Sequence, residues 1–130
     1  MTPMLASPAK APSPASQEAA LTKATVRAAQ RLGLNNRILA NVLGLSEATI
    51  SRMTRNAFVL SRDEKAFELG VLFVRLFRSL DAIVGGDEEA AKAWLNNKNL
   101  ALRDAPINLI QTVGGLVNAV QYLDARRAHI

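Results

Sequence analysis

The sequence has 130 residues, of which 49% are hydrophobic and 21% are charged. This composition suits one compact domain, or two small ones that share a core, and excludes a chain that is disordered throughout. There is no cysteine, which excludes a disulfide framework and thiolate metal sites. The longest apolar run, residues 69–77, contains Arg75 and is too short to span a bilayer. No signal-peptide core follows Met1, so we expect a cytoplasmic protein.

The net charge of +5 is concentrated in the first part of the chain. Residues 1–80 contain eleven Lys/Arg and five Asp/Glu, whereas residues 81–130 contain five and six. The excess of positive charge in residues 1–80, the front of the chain, favours a polyanionic partner such as nucleic acid. Solubility alone remains an alternative explanation of the excess charge.

Residues 1–16, MTPMLASPAKAPSPAS, contain four of the five prolines. Proline with alanine and serine predicts an extended tail instead of a packed element. We interpret this tail as a tether, and a proline-rich protein-binding motif is the alternative.

Three helices are predicted next, at residues 17–32, 36–43 and 47–55. Gly33 would end the first, and Ser46 would cap the third. A fourth, long helix would follow the sequence SRDE at 61–64, which matches a capping box with Ser61 as the cap and Glu64 reaching back. It would continue to about Val84.

The long helix has two apolar stripes, which predicts that it is covered on two sides. The first stripe is Ala66, Leu69, Phe73, Leu76, Phe77 and Leu80. The second stripe is Phe67, Val71 and Val74. The front bundle would cover one side, and either the back of the same chain or a second copy would cover the other.

The back of the chain predicts shorter helices. Asp87 would cap a helix that ends near Asn96, and Pro106 would begin a short helix. Gly114-Gly115 would loosen the chain before the last helix. No segment alternates with the period of a strand, so the predicted fold class is all-α.

The stretch 40–55, ANVLGLSEATISRMTR, predicts two helices joined by a tight turn. Gly44 would take the left-handed conformation that ends one helix, and Ser46 would cap the next. An ordinary helical hairpin with a solvated outer face is one interpretation. However, the pattern A-x3-G-[apolar]-S-x2-T-[apolar]-S-R, matched from Ala40 to Arg52, resembles the helix-turn-helix of Xre/Cro-type DNA-binding domains. The resemblance implies that the second helix enters a DNA major groove.

The side chains expected to contact DNA are short, polar or cationic. They are Arg37, Ser46, Ala48, Thr49, Ser51, Arg52, Arg55 and Arg62. Ser46 and Thr49 would contact phosphates or base edges. Ala48, Ser51 and Arg52 would reach base edges, and the other three arginines would clamp phosphates. One such domain buries little DNA surface, so we expect a homodimer with two copies about 34 Å apart.

The back half resembles the toxin-binding domain of Xre/MbcA/ParS-type antitoxins. The matching residues are Trp94, Leu95, Asn99, Leu100, Pro106, Leu109, Thr112, Gly115 and Leu123. Together with the helix-turn-helix, the resemblance covers roughly residues 20–123. It implies a type II antitoxin that blocks the active-site cleft of a RES-type, NAD-destroying toxin and represses its own operon by binding operator DNA.

The resemblance also implies a toxin-binding set. Its residues are Trp94, Asn99, Pro106, Arg126, Arg127, His129 and Ile130. The end of the last helix would insert into the toxin's cleft, where the terminal carboxylate could mimic an anion. His129 stands about where the family carries a glycine, which is a departure from the pattern.

The domain organisation that follows is a tail at 1–16, a helix-turn-helix region at 17–84 and a toxin-binding domain at 85–130. We expect no enzyme, no catalytic residue, no metal and no cofactor. The only histidine is His129, and no nucleophile with a base can be assembled. The alternatives are a free-standing dimeric helix-turn-helix repressor without a toxin partner, and a protein-binding adaptor.

Overall fold

A computed structural model of the chain describes residues 13–128. The described residues form seven helices and no strand. The helices are α1 (Pro14–Arg31), α2 (Asn36–Leu43), α3 (Glu47–Thr54), α4 (Lys65–Ile83), α5 (Glu88–Asn96), α6 (Pro106–Leu109) and α7 (Val113–Arg127). The all-α prediction is confirmed. No helix within 13–128 is long and apolar enough to cross a membrane.

Helix α1 begins three residues earlier than predicted. Pro14 occupies its first turn, where a missing N–H is harmless, and the Ser13 hydroxyl accepts a hydrogen bond from the Ser16 amide at 3.1 Å. The end of the predicted tail therefore belongs to α1. The rest of that prediction, residues 1–12, lies outside the described residues.

Helix α4 begins at Lys65, so the predicted capping box is wrong. Glu64 is the N-cap and makes no side-chain capping bond, while Ser61 lies in a turn before the helix. The reason is tertiary. The Leu60 amide donates to the Thr22 hydroxyl at 2.9 Å, and the Arg62 amide donates to the Glu18 carboxylate at 2.7 Å. These hydrogen bonds hold residues 60–62 against α1, so the helix begins only at Lys65.

Helix α4 is the centre of the fold and packs against α1, α2, α5 and α7. Phe73, Leu76 and Leu80 of its first stripe are completely buried. They belong to one apolar cluster that extends from α1 to α7, so the front and back of the chain share a core. In the second stripe Val74 is buried, whereas Val71 is 45% exposed. Its outer side is therefore only partly covered within the chain.

The glycine pair 114–115 does not precede the last helix but lies in its first turn. Thr112 caps α7 by accepting a hydrogen bond from the Gly115 amide at 3.1 Å. A Cβ at Gly115 would collide with the carbonyl oxygen of Leu109, whereas a Cβ at Gly114 would meet nothing within 4 Å. Gly115 is thus required by close packing between α6 and α7. The predicted cap at Asp87 and the predicted start of a short helix at Pro106 are confirmed.

Candidate functional sites

The corner between α2 and α3 has the predicted geometry. Gly44 has φ +69°, in the left-handed region, and ends α2. The Leu45 amide donates to the Ala40 carbonyl at 3.0 Å, and the Ser46 hydroxyl accepts from the Thr49 amide at 3.1 Å. These bonds fix the angle at which α3 leaves the turn.

Helix α3 buries one face and exposes the other. Ile50 and Met53 are in the core. Ala48, Arg52 and Arg55 are exposed, and Ser51 is half-buried. The exposed face presents small and cationic side chains, which a major groove accepts, together with one carboxylate, Glu47, in the first turn, where the helix dipole favours an anion.

Thr49 was expected on the exposed face of α3, but it is only 9% exposed. Its hydroxyl lies 2.9 Å from that of Ser46 and accepts a hydrogen bond from Nη2 of Arg52 at 3.1 Å. The expected exposure of Thr49 is therefore wrong, whereas its contact with DNA stays a prediction. The side chain supports its neighbours on α3 instead of facing outward.

The remaining predicted arginines, Arg37, Arg55 and Arg62, are all exposed. Two cations that were not predicted also flank α3. Lys23 and Arg27, one turn apart on α1, line a shallow groove of about 320 Å³ together with Thr54 and Asn56. Their spacing of four residues on a helix was the available signal.

In the back half, Trp94, Tyr122 and Arg126 form a stack that connects α5 with α7. The Trp94 and Tyr122 ring centroids are 6.4 Å apart at 18°, and the Arg126 guanidinium lies 5.7 Å from the Tyr122 centroid. Tryptophan, tyrosine and arginine are enriched in binding hot spots. Sequence reasoning missed Tyr122 because a stack between two helices leaves no local pattern.

Asn99 organises the loop between α5 and α6. Its backbone amide donates to the Asp104 backbone carbonyl at 3.0 Å, and its side-chain oxygen accepts from the Leu102 backbone amide at 3.1 Å. The bonds hold Leu100 outward, 88% exposed. An exposed leucine on an ordered loop offers an apolar contact to a protein partner.

The Asp104 carboxylate closes the same loop. It accepts hydrogen bonds from the Asn108 side chain at 3.1 Å and from the Ala105 amide at 2.6 Å. These two bonds lower the pKa of Asp104 below its ordinary value of 3.8.

Pro106, predicted in the toxin-binding set, is buried at the start of α6. It shapes the loop, and its predicted contact with the toxin stays a prediction.

The end of α7 carries two exposed arginines, Arg126 and Arg127. Arg127 lines a groove of about 540 Å³ together with Arg75 and Arg78 of α4 and the open Val71. His129 and Ile130, predicted to complete the toxin contact, lie outside the described residues. Within residues 13–128, no group of three acidic or histidine side chains is arranged to hold a metal ion.

The fold and surfaces define a helix-turn-helix protein with a second helical region packed on the same core. Residues 11–75 match the family model of the antitoxin Xre-like helix-turn-helix domain. Residues 79–128 match that of the antitoxin Xre/MbcA/ParS C-terminal toxin-binding domain. The chain therefore belongs to the Xre-type antitoxins, a family with DNA-binding and toxin-binding domains. Among curated proteins, none matches the chain.

Proposed function

We propose that the chain is a cytoplasmic antitoxin that binds and blocks a RES-type, NAD-degrading toxin and represses its own operon. The observation that carries this proposal is an exposed face of α3 that presents Arg52, with Arg55 just beyond its end, in a chain whose back half matches a toxin-binding domain. The same chain can then connect toxin neutralisation with transcription.

The DNA arm of the proposal places α3 in the major groove. Ala48, Ser51 and Arg52 face base edges, and a bidentate arginine–guanine pair contributes about 1–3 kcal/mol of discrimination. Arg37, Arg55 and Arg62 contact phosphates and add affinity that depends on salt. Ser46 supports them from the N-terminus of α3, where its hydroxyl already binds the Thr49 amide.

The DNA arm also requires a homodimer. One inserted helix reads only a few base pairs, and two copies spaced by one duplex turn of about 34 Å would read a palindromic operator. The partly open face around Val71 is one surface available for self-association.

The toxin arm uses the Trp94–Tyr122–Arg126 stack and the end of α7. The stack offers rigid aromatic area and a cation, which together suit a protein interface. Arg127, His129 and Ile130 would extend from it into the toxin's cleft. In that cleft, Arg127 would pair with carboxylates of the toxin.

A second candidate is a free-standing dimeric repressor with no toxin partner. The observation that favours it is an apolar groove of about 600 Å³ beside the helix-turn-helix corner, lined by Leu45, Phe58, Leu69 and Val113 among others. A small apolar effector would fit such a groove.

Co-expression with the adjacent reading frame distinguishes the two candidates. We expect that the adjacent product alone depletes cellular NAD and stops growth, and that the chain restores both and co-purifies with that product. The purified chain should shift its own upstream DNA at low salt. An adjacent product that neither affects NAD nor binds the chain, combined with a retained DNA shift, would favour the free-standing repressor.

A further inference from the structure

Arg52 is restrained on two sides before any DNA is present. On one side, its Nη2 donates to the Thr49 hydroxyl at 3.1 Å. On the other, its guanidinium carbon lies 5.8 Å from the ring centroid of Phe58. A cation within about 6 Å of an aromatic centroid is attracted to the ring face. Phe58 lies outside α3 and outside the predicted DNA contacts.

The end of α3 determines where Phe58 lies. Asn56 has φ +59°, and its amide donates to the Met53 carbonyl at 3.2 Å. The Ala57 amide donates to the Arg52 carbonyl at 2.7 Å. This pair of bonds is a Schellman motif with asparagine in the left-handed position. It reverses the chain so that residue 58 returns to the side of Arg52.

The segment that carries Phe58 is anchored to α1. The Thr22 hydroxyl holds the Leu60 amide at 2.9 Å in a buried position, and the Glu18 carboxylate holds the Arg62 amide at 2.7 Å. Phe58 is itself half-buried and packs against the core. Its ring therefore has little freedom to move away from the guanidinium.

We propose that Phe58 is a positioning residue that holds Arg52 ready to bind a guanine, so that a side chain outside α3 helps to set DNA sequence specificity. The proposal rests on the DNA binding proposed above. Thr49 occupies one of the five N–H donors of Arg52, and the remaining four suffice for a bidentate contact to guanine O6 and N7. A side chain ordered in advance loses less rotamer freedom on binding.

The test is a double-mutant cycle on a duplex selected from a random library by the wild-type chain. Dissociation constants are measured for wild type, Phe58→Leu, Arg52→Ala and the double variant, with each G·C pair of the site replaced in turn. Arg52→Ala identifies the pair that Arg52 reads. At that pair, Phe58→Leu should reduce discrimination roughly two- to fivefold. It should have no further effect in the Arg52→Ala background.

Two controls separate positioning from folding. Phe58→Tyr keeps the ring and should retain wild-type discrimination. If Phe58→Leu is not folded by circular dichroism, Phe58→Met replaces it in the cycle. In the free protein, the Arg52 Nε–H group should become more mobile by NMR relaxation in the variant that lacks the ring and remain ordered in Phe58→Tyr.

The role of Phe58 would be overturned if Phe58→Leu weakened binding to all duplexes equally. It would also be overturned if Phe58→Leu had the same effect in the wild-type and the Arg52→Ala backgrounds. A wild-type chain that selects no sequence would instead contradict the proposed DNA function itself.

Discussion

The buried hydroxyl of Ser79 on α4 donates a hydrogen bond to the Asp124 carboxylate on α7 at 2.9 Å. The other oxygen of the same carboxylate lies 2.6 Å from Nη2 of Arg75. Asp124 thus fixes α7 to α4 less than one turn before its exposed arginines, Arg126 and Arg127. The direction in which the end of α7 leaves the core depends on this contact.

Removing Asp124 should therefore cost more than removing Ser79. Asp124→Ala leaves a buried hydroxyl without an acceptor, which should lower the free energy of unfolding by about 1–3 kcal/mol. Ser79→Ala leaves the carboxylate paired with Arg75 and should cost about 0.5–1.5 kcal/mol. Urea unfolding measures both. A larger loss for Ser79→Ala would contradict the assigned role of Asp124.

The adjacent glycines of α7 should respond oppositely to alanine. Gly115→Ala places a Cβ against the Leu109 carbonyl, and relief of such a collision costs about 1–3 kcal/mol. Gly114→Ala enters open space within a helix and should stabilise the chain by about 0.5–1 kcal/mol. Thermal unfolding of the two variants compares them directly. The same sign of change in both would refute the explanation by close packing.

The exposed arginines of the front half should determine the salt dependence of DNA binding. Each of Arg37→Ala, Arg55→Ala and Arg62→Ala should reduce the slope of log K against log salt by about one, because one phosphate contact is lost. Arg103→Ala, in the loop before α6, is the matched control and should leave the slope unchanged. Fluorescence anisotropy over a salt series provides the slopes. If the control behaves like the other three, the charge acts only through long-range attraction.

Much of the structure of the front half could be predicted from local sequence, and the predictions that failed share a cause. The bounds of α2, the turn at Gly44 and the cap at Ser46 depend on neighbouring residues, and all three are confirmed. The capping box at Ser61 failed because Thr22 and Glu18, about forty residues away, hold that segment. Long-range contacts of this kind have no local signature.

The back half shows the same division. The cap at Asp87 and the helix start at Pro106 depend on neighbouring residues and were predicted correctly. The position of Gly115 within α7 depends on packing against Leu109. The stack of Tyr122 on Trp94 depends on how α5 and α7 meet.

In the first half of the chain, the burial of Thr49 was also missed, because its position on the helix alone placed it beside the exposed face.

The Asp104 loop should weaken in acid. The folded-state pKa of Asp104 is lowered by the bonds from Asn108 and Ala105. Its ionised form therefore stabilises the loop. This contribution is fully present above the ordinary pKa of 3.8 and is lost as the pH falls through the lowered value. An NMR titration of the Asp104 carboxyl carbon should give a pKa below 3.8, and Asn108→Ala should raise it. A pKa at or above 3.8 in the wild-type chain would contradict the assigned bonds.

The most direct test of the antitoxin account is NAD consumption by the purified product of the adjacent gene, titrated with this chain. We expect that the wild-type chain stops NAD consumption completely once it reaches a fixed molar ratio to the adjacent gene product. Tyr122→Ala, which breaks the stack, should bind about 30-fold more weakly if the stack is a hot spot, while Arg52→Ala on the DNA face should inhibit like wild type. Unchanged NAD consumption at a large excess of the folded wild-type chain would contradict the account.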